Sequence, residues 1–170
     1  MRPNPSIELT CSGRPGHVSS CRLLGATVHL IAPHHRPLEN DMTRTAQCFC
    51  GAASVSVNGE PRMHAICHCS DCKRRTGSAF AISAYFLRTD VAETTGETTL
   101  YSSHRRDDDQ VAHFCKTCNS LLFWYTAARP HLIGISGGCF PDGSLAEPTI
   151  SAKNVHKLPW VGLPDSWKML

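Results

Sequence analysis

The first 41 residues of this 170-residue chain lack phenylalanine, tyrosine and tryptophan, although the chain holds six, three and three of them. The same stretch carries five of the eleven prolines. A segment without large apolar side chains has little burial to set against its ordering entropy. Residues 1–41 are therefore expected to be a flexible N-terminal extension, and residues 42–170, beginning at Met42, to be the folded domain. Also missing is any apolar run near the ~20 residues that span a bilayer, so no membrane partner is expected. The one apolar stretch near the start, LLGATVHLIA (23–32), is broken by His29 and followed by no small-residue cleavage site. It does not read as a signal peptide, and the expected location is the cytoplasm. Strong charge is absent as well. The net charge of +3 comes without a basic run interleaved with aromatics, which argues against a nucleic-acid partner. No long stretch has the period of an amphipathic helix.

What is present is a series of short strand-like segments. AASVSV (52–57) alternates small apolar and polar residues and leads to Asn58-Gly59, a strong turn signal. MHAIC (63–67), SAFAISAYFL (78–87), QVAHFC (110–115), SLLFWY (120–125) and HLIGIS (131–136) follow. Turns rich in Gly, Asp, Asn and Pro separate them, among them TTGET, HRRDDD, ARP and GGCFPDG. SDCKRRTG has room for one helical turn. The expected class is mostly β, built from closely spaced short strands in a single domain. Nothing in the sequence sets the oligomeric state.

Ten cysteines are the outlying feature. In a cytosolic chain they point to metal or catalysis rather than to disulfides. Cys11 and Cys21 fall in the extension and read as free thiols. Seven others cluster as C-F-C-G (48–51), C-H-C-S-D-C (67–72) and C-K-T-C (115–118). Cys115 and Cys118 supply a standard zinc-ligand pair and Cys48 and Cys50 can supply the other; together they would close a four-thiolate site that staples the start of the domain to a distant hairpin, where metal binding would contribute folding energy. Cys67, Cys69 and Cys72 remain as a three-thiolate set. Three ligands with an exchangeable fourth position is the pattern of a catalytic zinc. Three thiolates leave Zn²⁺ with a formal charge of −1, poor at polarising a carbonyl and well suited to holding a soft sulfur ligand. Two other readings of the same residues stand beside this one. In one the second site is structural and closed by His64, His68, His113, His131 or Cys139; in the other the cysteines are redox-active or form disulfides.

The three motifs CFCG (48–51), CHCSDCKRRTG (67–77) and FCKTC (114–118), with the closing AEPTISAKNVHKLPW (146–160), resemble the glutathione-dependent formaldehyde-activating enzyme family, whose domain centromere protein V shares. The resemblance spans about residues 45–165. It implies a β-rich, Mss4-like fold stapled by two zinc ions. Cys48, Cys50, Cys115 and Cys118 would hold the structural ion, and Cys67, Cys69 and Cys72 the catalytic one. The implied activity joins glutathione, a small thiol, to the small aldehyde formaldehyde as an S-hydroxymethyl adduct, a carbon–sulfur lyase reaction in reverse. One departure is Asn119, where the family has glycine after the last C-x-x-C; asparagine tolerates the left-handed conformation better than most residues.

Within that frame His68 is a candidate proton donor to the developing alkoxide. Lys73, Arg74 and Arg75 are candidates to meet the carboxylates of glutathione, or else form a solvated cationic turn. Aromatics of SAFAISAYF and LLFWY either line a pocket or fill the core. Trp160 either closes over the site or packs. The alternative function is a non-catalytic zinc module that binds a protein or nucleic acid. A third option is a thiol reductase, for which Cys139 is the candidate nucleophile.

Overall fold

The computed structural model describes residues 42–104, 108–141 and 143–170, together with the backbone of three short upstream strands. Those strands, β1 (Thr10–Ser12), β2 (Ser20–Leu23) and β3 (Ala26–His29), pair antiparallel in that order. They belong to a unit covering Met1–Leu38, and the second unit covers Glu39–Leu170. The expected extension, 1–41, falls mostly outside the described residues. Cys11 and Cys21 are register partners across β1 and β2; their side chains also lie outside the description.

Among its described residues the second unit has two sheets, one short α-helix and three single 3-10 turns. β4 (Thr43–Gln47), β5 (Ser54–Asn58) and β8 (Val91–Thr95) form a small antiparallel sheet in the order β4-β5-β8. The large sheet contains β6 (Met63–Cys67), β7 (Ala81–Leu87), β9 (Thr98–Ser103), β10 (Gln110–Cys115), β11 (Leu121–Thr126), β12 (Leu132–Ser136), β13 (Ile150–Ala152) and β14 (Lys168–Met169). Its order is β14-β13-β6-β7-β12-β11-β10-β9, antiparallel except for the β6–β13 and β13–β14 pairs. The helix α1 (Ser70–Thr76) follows β6.

Successive side chains of a strand point to opposite faces, and that alternation makes the core. Ala46, Val55 and Val57 of the small sheet meet Ala84, Phe86, Ile133 and Ile135 of the large one, and all are fully buried. Arg44 is buried at the edge of this contact. It donates to the carbonyl oxygens of Gly59 and Ser144 and pairs with Glu60. Asn58-Gly59 is a turn, but it carries the chain from one sheet to the other instead of closing a hairpin; Gly59 has φ +74°. The mostly β class is observed. SDCKRRTG makes seven helical residues rather than one turn, closed by Gly77 in the left-handed region. Strands β8 and β9 were not anticipated: VAETT and TTLYSS are Thr-rich and largely exposed, so neither carries an apolar alternation.

Alternation also decides what lies on the other face of the large sheet. Ser83 and Tyr85 alternate with the core residues Ala84 and Phe86; Gln110, Ala112 and Phe114 occupy every second place of β10. These are the residues that surround the cavity described next.

Candidate metal centre and its cavity

Two tight turns bring four sulfurs together where the two sheets meet. Cys48 follows β4 directly and Cys115 ends β10, so each sheet contributes one pair. In the first turn the Gly51 N–H donates to the Cys48 carbonyl at 3.0 Å, with Gly51 at φ +79°. In the second the Asn119 N–H donates to the Cys115 carbonyl at 2.9 Å, with Asn119 at φ +58°. Asparagine thus adopts the left-handed conformation expected of it. Ligand atoms of Cys48, Cys50, Cys115 and Cys118 all lie within 4.8 Å of one another. The Cys48–Cys50 and Cys50–Cys115 sulfurs are 3.7 and 3.8 Å apart. Four sulfurs placed ~2.3 Å from one ion at tetrahedral corners are about 3.8 Å apart, so this donor set fits zinc. The Ser120 hydroxyl, 3.2 Å from the Cys118 sulfur, holds that thiol down to about 5. These cysteines are free of disulfides.

The second group is built by β6 and α1. Cys67 is the last residue of β6, Cys69 caps α1, and Cys72 lies in its first turn. The Cys72 N–H donates to the Cys69 sulfur at 3.4 Å. The three sulfurs lie within 4.8 Å of one another, and among the described residues no further Cys, His, Asp or Glu completes the group. A hydrogen bond from the Cys72 thiol pulls Cys67 down to about 5, and the same contact pushes Cys72 up. Three thiols this close do not all ionise unless a cation offsets their repulsion. An all-sulfur, three-donor set suits a soft divalent ion that retains one further coordination position.

That position has somewhere to open. A cavity of about 440 Å³ is lined by Cys67, Cys69 and Cys72 together with Arg74 and Arg75 of α1, Ser83 and Tyr85 of β7, and Tyr101 and Ser103 of β9. Gln110, Ala112 and Phe114 of β10, Trp124 and Thr126 of β11, Asp71, Asp108 and Arg129 complete the wall. The Trp124 indole lies across Gly134, its register partner on β12. A Cβ at Gly134 would come within 2.4 Å of that ring. Tyr85, the other register partner of Gly134, meets Trp124 edge-on at 5.9 Å between centroids. Burial pushes the Tyr85 phenol up, so it stays a neutral O–H donor.

The remaining expected residues are distributed unevenly. Lys73 is absent from the cavity wall; its Nζ donates to the His156 carbonyl at 2.9 Å, pinning α1 to the C-terminal segment. His68 points away from the cavity. It is fully buried, with Nε2 3.2 Å from the Ser151 hydroxyl, which in turn donates to Asn154 Oδ1 at 2.6 Å. Burial lowers its pKa, so the ring is neutral. Trp160 is exposed and outside the wall. Cys139 packs against the core beside the four-sulfur group, and burial pushes its thiol up to about 11. A thiol so raised is a poor nucleophile at neutral pH. Of the aromatic runs, Phe86 and Phe123 fill the core while Tyr85 and Trp124 face the cavity. Arg129, Gln110 and Thr126 carried no motif and were found only by the sheet's register.

No curated protein matches this chain. A crystal structure of a Rhodobacter sphaeroides protein is 26% identical over 58% of this chain and 88% of that one, with a TM-score of 0.46. Residues 43–155 match the family model for the glutathione-dependent formaldehyde-activating enzyme, a stretch that includes every cysteine of both sulfur groups. The chain belongs to the glutathione-dependent formaldehyde-activating enzyme family.

Proposed function

We propose that residues 42–170 form an Mss4-like, two-zinc enzyme that adds a small thiol of the glutathione type to formaldehyde, and in reverse acts as a carbon–sulfur lyase. The observation that carries this reading is the contrast between the two sulfur groups. The four-sulfur group joins two sheets and is complete in itself. The three-sulfur group is one donor short and opens onto a cavity of about 440 Å³.

Cys67, Cys69 and Cys72 would hold the zinc, which would supply a soft Lewis acid able to lower the pKa of a sulfhydryl. The cavity does the rest by placing thiol and aldehyde side by side, which converts a bimolecular encounter into a local one. The new bond joins sulfur to the formaldehyde carbon, the carbonyl π pair moves to oxygen, and that oxygen takes one proton. The thiol sheds one proton on binding, so the reaction is balanced. On the cavity side Tyr85 offers its O–H to the developing oxygen. His68, turned onto Ser151, positions the Cys67–Cys69 turn against β13. Free cysteines in both groups suit a reducing, cytoplasmic setting.

The test is the rate of S-hydroxymethylglutathione formation, followed by NMR exchange with ¹³C-formaldehyde on the zinc-loaded protein. Acceleration over the uncatalysed reaction, lost in Cys72→Ser, is the expected result. Two bound ions with no acceleration and no response of either ion to added thiol would sink the enzyme reading and leave a metal-stapled binding module.

A further inference from the structure

Positive charge enters the cavity from α1, which carries Arg74 and Arg75, and from the β11–β12 turn, which carries Arg129; Arg75 and Arg129 each rest on an aromatic ring. The Arg75 guanidinium, carried by α1, lies 4.5 Å from the centre of the Trp124 ring. The Arg129 guanidinium, carried by the β11–β12 turn, lies 5.8 Å from the centre of the Tyr85 ring. Trp124 and Tyr85 touch edge to face at 5.9 Å. The four side chains form one array, with a guanidinium at each end and the aromatic pair between. A guanidinium over a ring face is held in orientation by cation–π attraction while its N–H fork stays available.

Among the described residues neither Arg75 nor Arg129 forms an ion pair with a carboxylate. Among the described residues Arg75 Nε and the Thr126 hydroxyl, both of the cavity wall, are buried without a hydrogen-bond partner. With the Gln110 amide oxygen facing them, Arg75 Nη1 and Trp124 Nε1 donate to it at 3.1 and 3.3 Å, so the fork and its platform are held together. Of the acids in the wall, Asp108 accepts from the Ala128 N–H at 2.8 Å, which fixes the turn that carries Arg129. Asp71 has a partner of its own.

We infer that Arg75 and Arg129 form a two-pronged clamp that selects thiols bearing carboxylates. This rests on the proposed function, because it assumes that the sulfur sits at the three-cysteine group. The forked donor geometry matches a planar carboxylate. Two prongs on separate elements favour a molecule with carboxylates on both sides of its thiol over a small neutral or cationic thiol such as 2-mercaptoethanol or cysteamine. The volume suits a tripeptide-sized ligand. Lys73, turned onto His156, takes no part.

The experiment measures binding by calorimetry on the zinc-loaded protein with three probes: glutathione, its diethyl ester, and S-methylglutathione. The ester keeps the thiol and loses both carboxylates. The S-methyl compound keeps both carboxylates and cannot offer a thiolate. Glutathione is expected to bind about tenfold or more tightly than the ester, the loss of charge-assisted pairs in a partly open site. That ratio is expected to fall toward one in Arg129→Gln, an exposed position where folding is not at stake, and S-methylglutathione is expected to weaken in the same variant. Arg75→Lys, which keeps the charge without the fork, is expected to lose part of the ratio. Equal binding of glutathione and the ester, or a ratio unchanged in Arg129→Gln, overturns the clamp. If adduct formation persists alongside that result, the proposed function stands without the clamp. Failure of all three probes to bind overturns the clamp, and the adduct assay then judges the function separately.

Discussion

Gly134→Ala tests whether the cavity is made by one missing side chain. A Cβ built at Gly134 lies 2.4, 2.5 and 2.7 Å from three atoms of the Trp124 ring, against the ~3.5–4.0 Å of ordinary carbon contact. The indole must move by about 1 Å. It is 2% exposed and flanked by Tyr85, Arg75 and Gln110, so it cannot move without disturbing them. A shift of that size stretches the 3.3 Å contact from Trp124 Nε1 to Gln110 beyond hydrogen-bond range. Overpacking of this kind costs about 1–3 kcal/mol, which lowers Tm by about 3–10 °C in a domain of this size. The assays are denaturant unfolding and tryptophan emission, in which buried Trp124 shifts to the red as it is driven out. Trp124→Leu removes the ring that the methyl strikes. The double variant is therefore expected to recover most of the Gly134→Ala cost, with a coupling energy well above the additive limit of about 0.5 kcal/mol. Unchanged stability and emission in Gly134→Ala, or strict additivity in the double variant, would refute the claim that glycine makes the space.

Metal analysis should find two zinc ions per chain. Cys50→Ser should remove one ion and lower Tm, because it breaks the link between the sheets, whereas Cys72→Ser should remove the other with the fold retained; loss of both ions from either variant would contradict two independent sites. Stability should also fall as pH drops below about 6.5 through His64, whose pKa burial lowers while Nδ1 donates to the Ala146 carbonyl at 2.8 Å. In the folded chain this ring stays neutral, while in the unfolded chain it takes up a proton below about 6.5, so the unfolded state binds more protons there and gains. His64→Gln should flatten that part of the stability–pH curve, and an unchanged slope would assign the effect to other groups.

Much of the candidate site was legible because metal ligands announce themselves by residue type and close spacing. Cys67, Cys69 and Cys72 lie within one strand end and one helical turn, so local geometry brings their sulfurs together. The strands MHAIC and QVAHFC could be read to the residue, since β-branched and aromatic side chains bounded by turn residues are a local signal. Strands β8 and β9 could not, because an exposed strand has no apolar face to betray it. His68 and Lys73 were drawn toward the chemistry by their place beside the ligands. The fold sends one to Ser151 and the other to His156, more than eighty positions away in each case.

The cysteine spacing determined by itself that two unequal sulfur groups exist and that a β-rich domain surrounds them, because tight turns and strand propensities depend on neighbours a few positions apart. Which side chains face the three-sulfur group was decided only by strand order and register. Those place Tyr85 and Trp124 on either side of Gly134 and bring Arg129 to the same cavity as Arg75. The physical reason is that a one-residue slip in a strand turns every side chain to the opposite face, and nothing within a single segment records the register that its distant partner imposes.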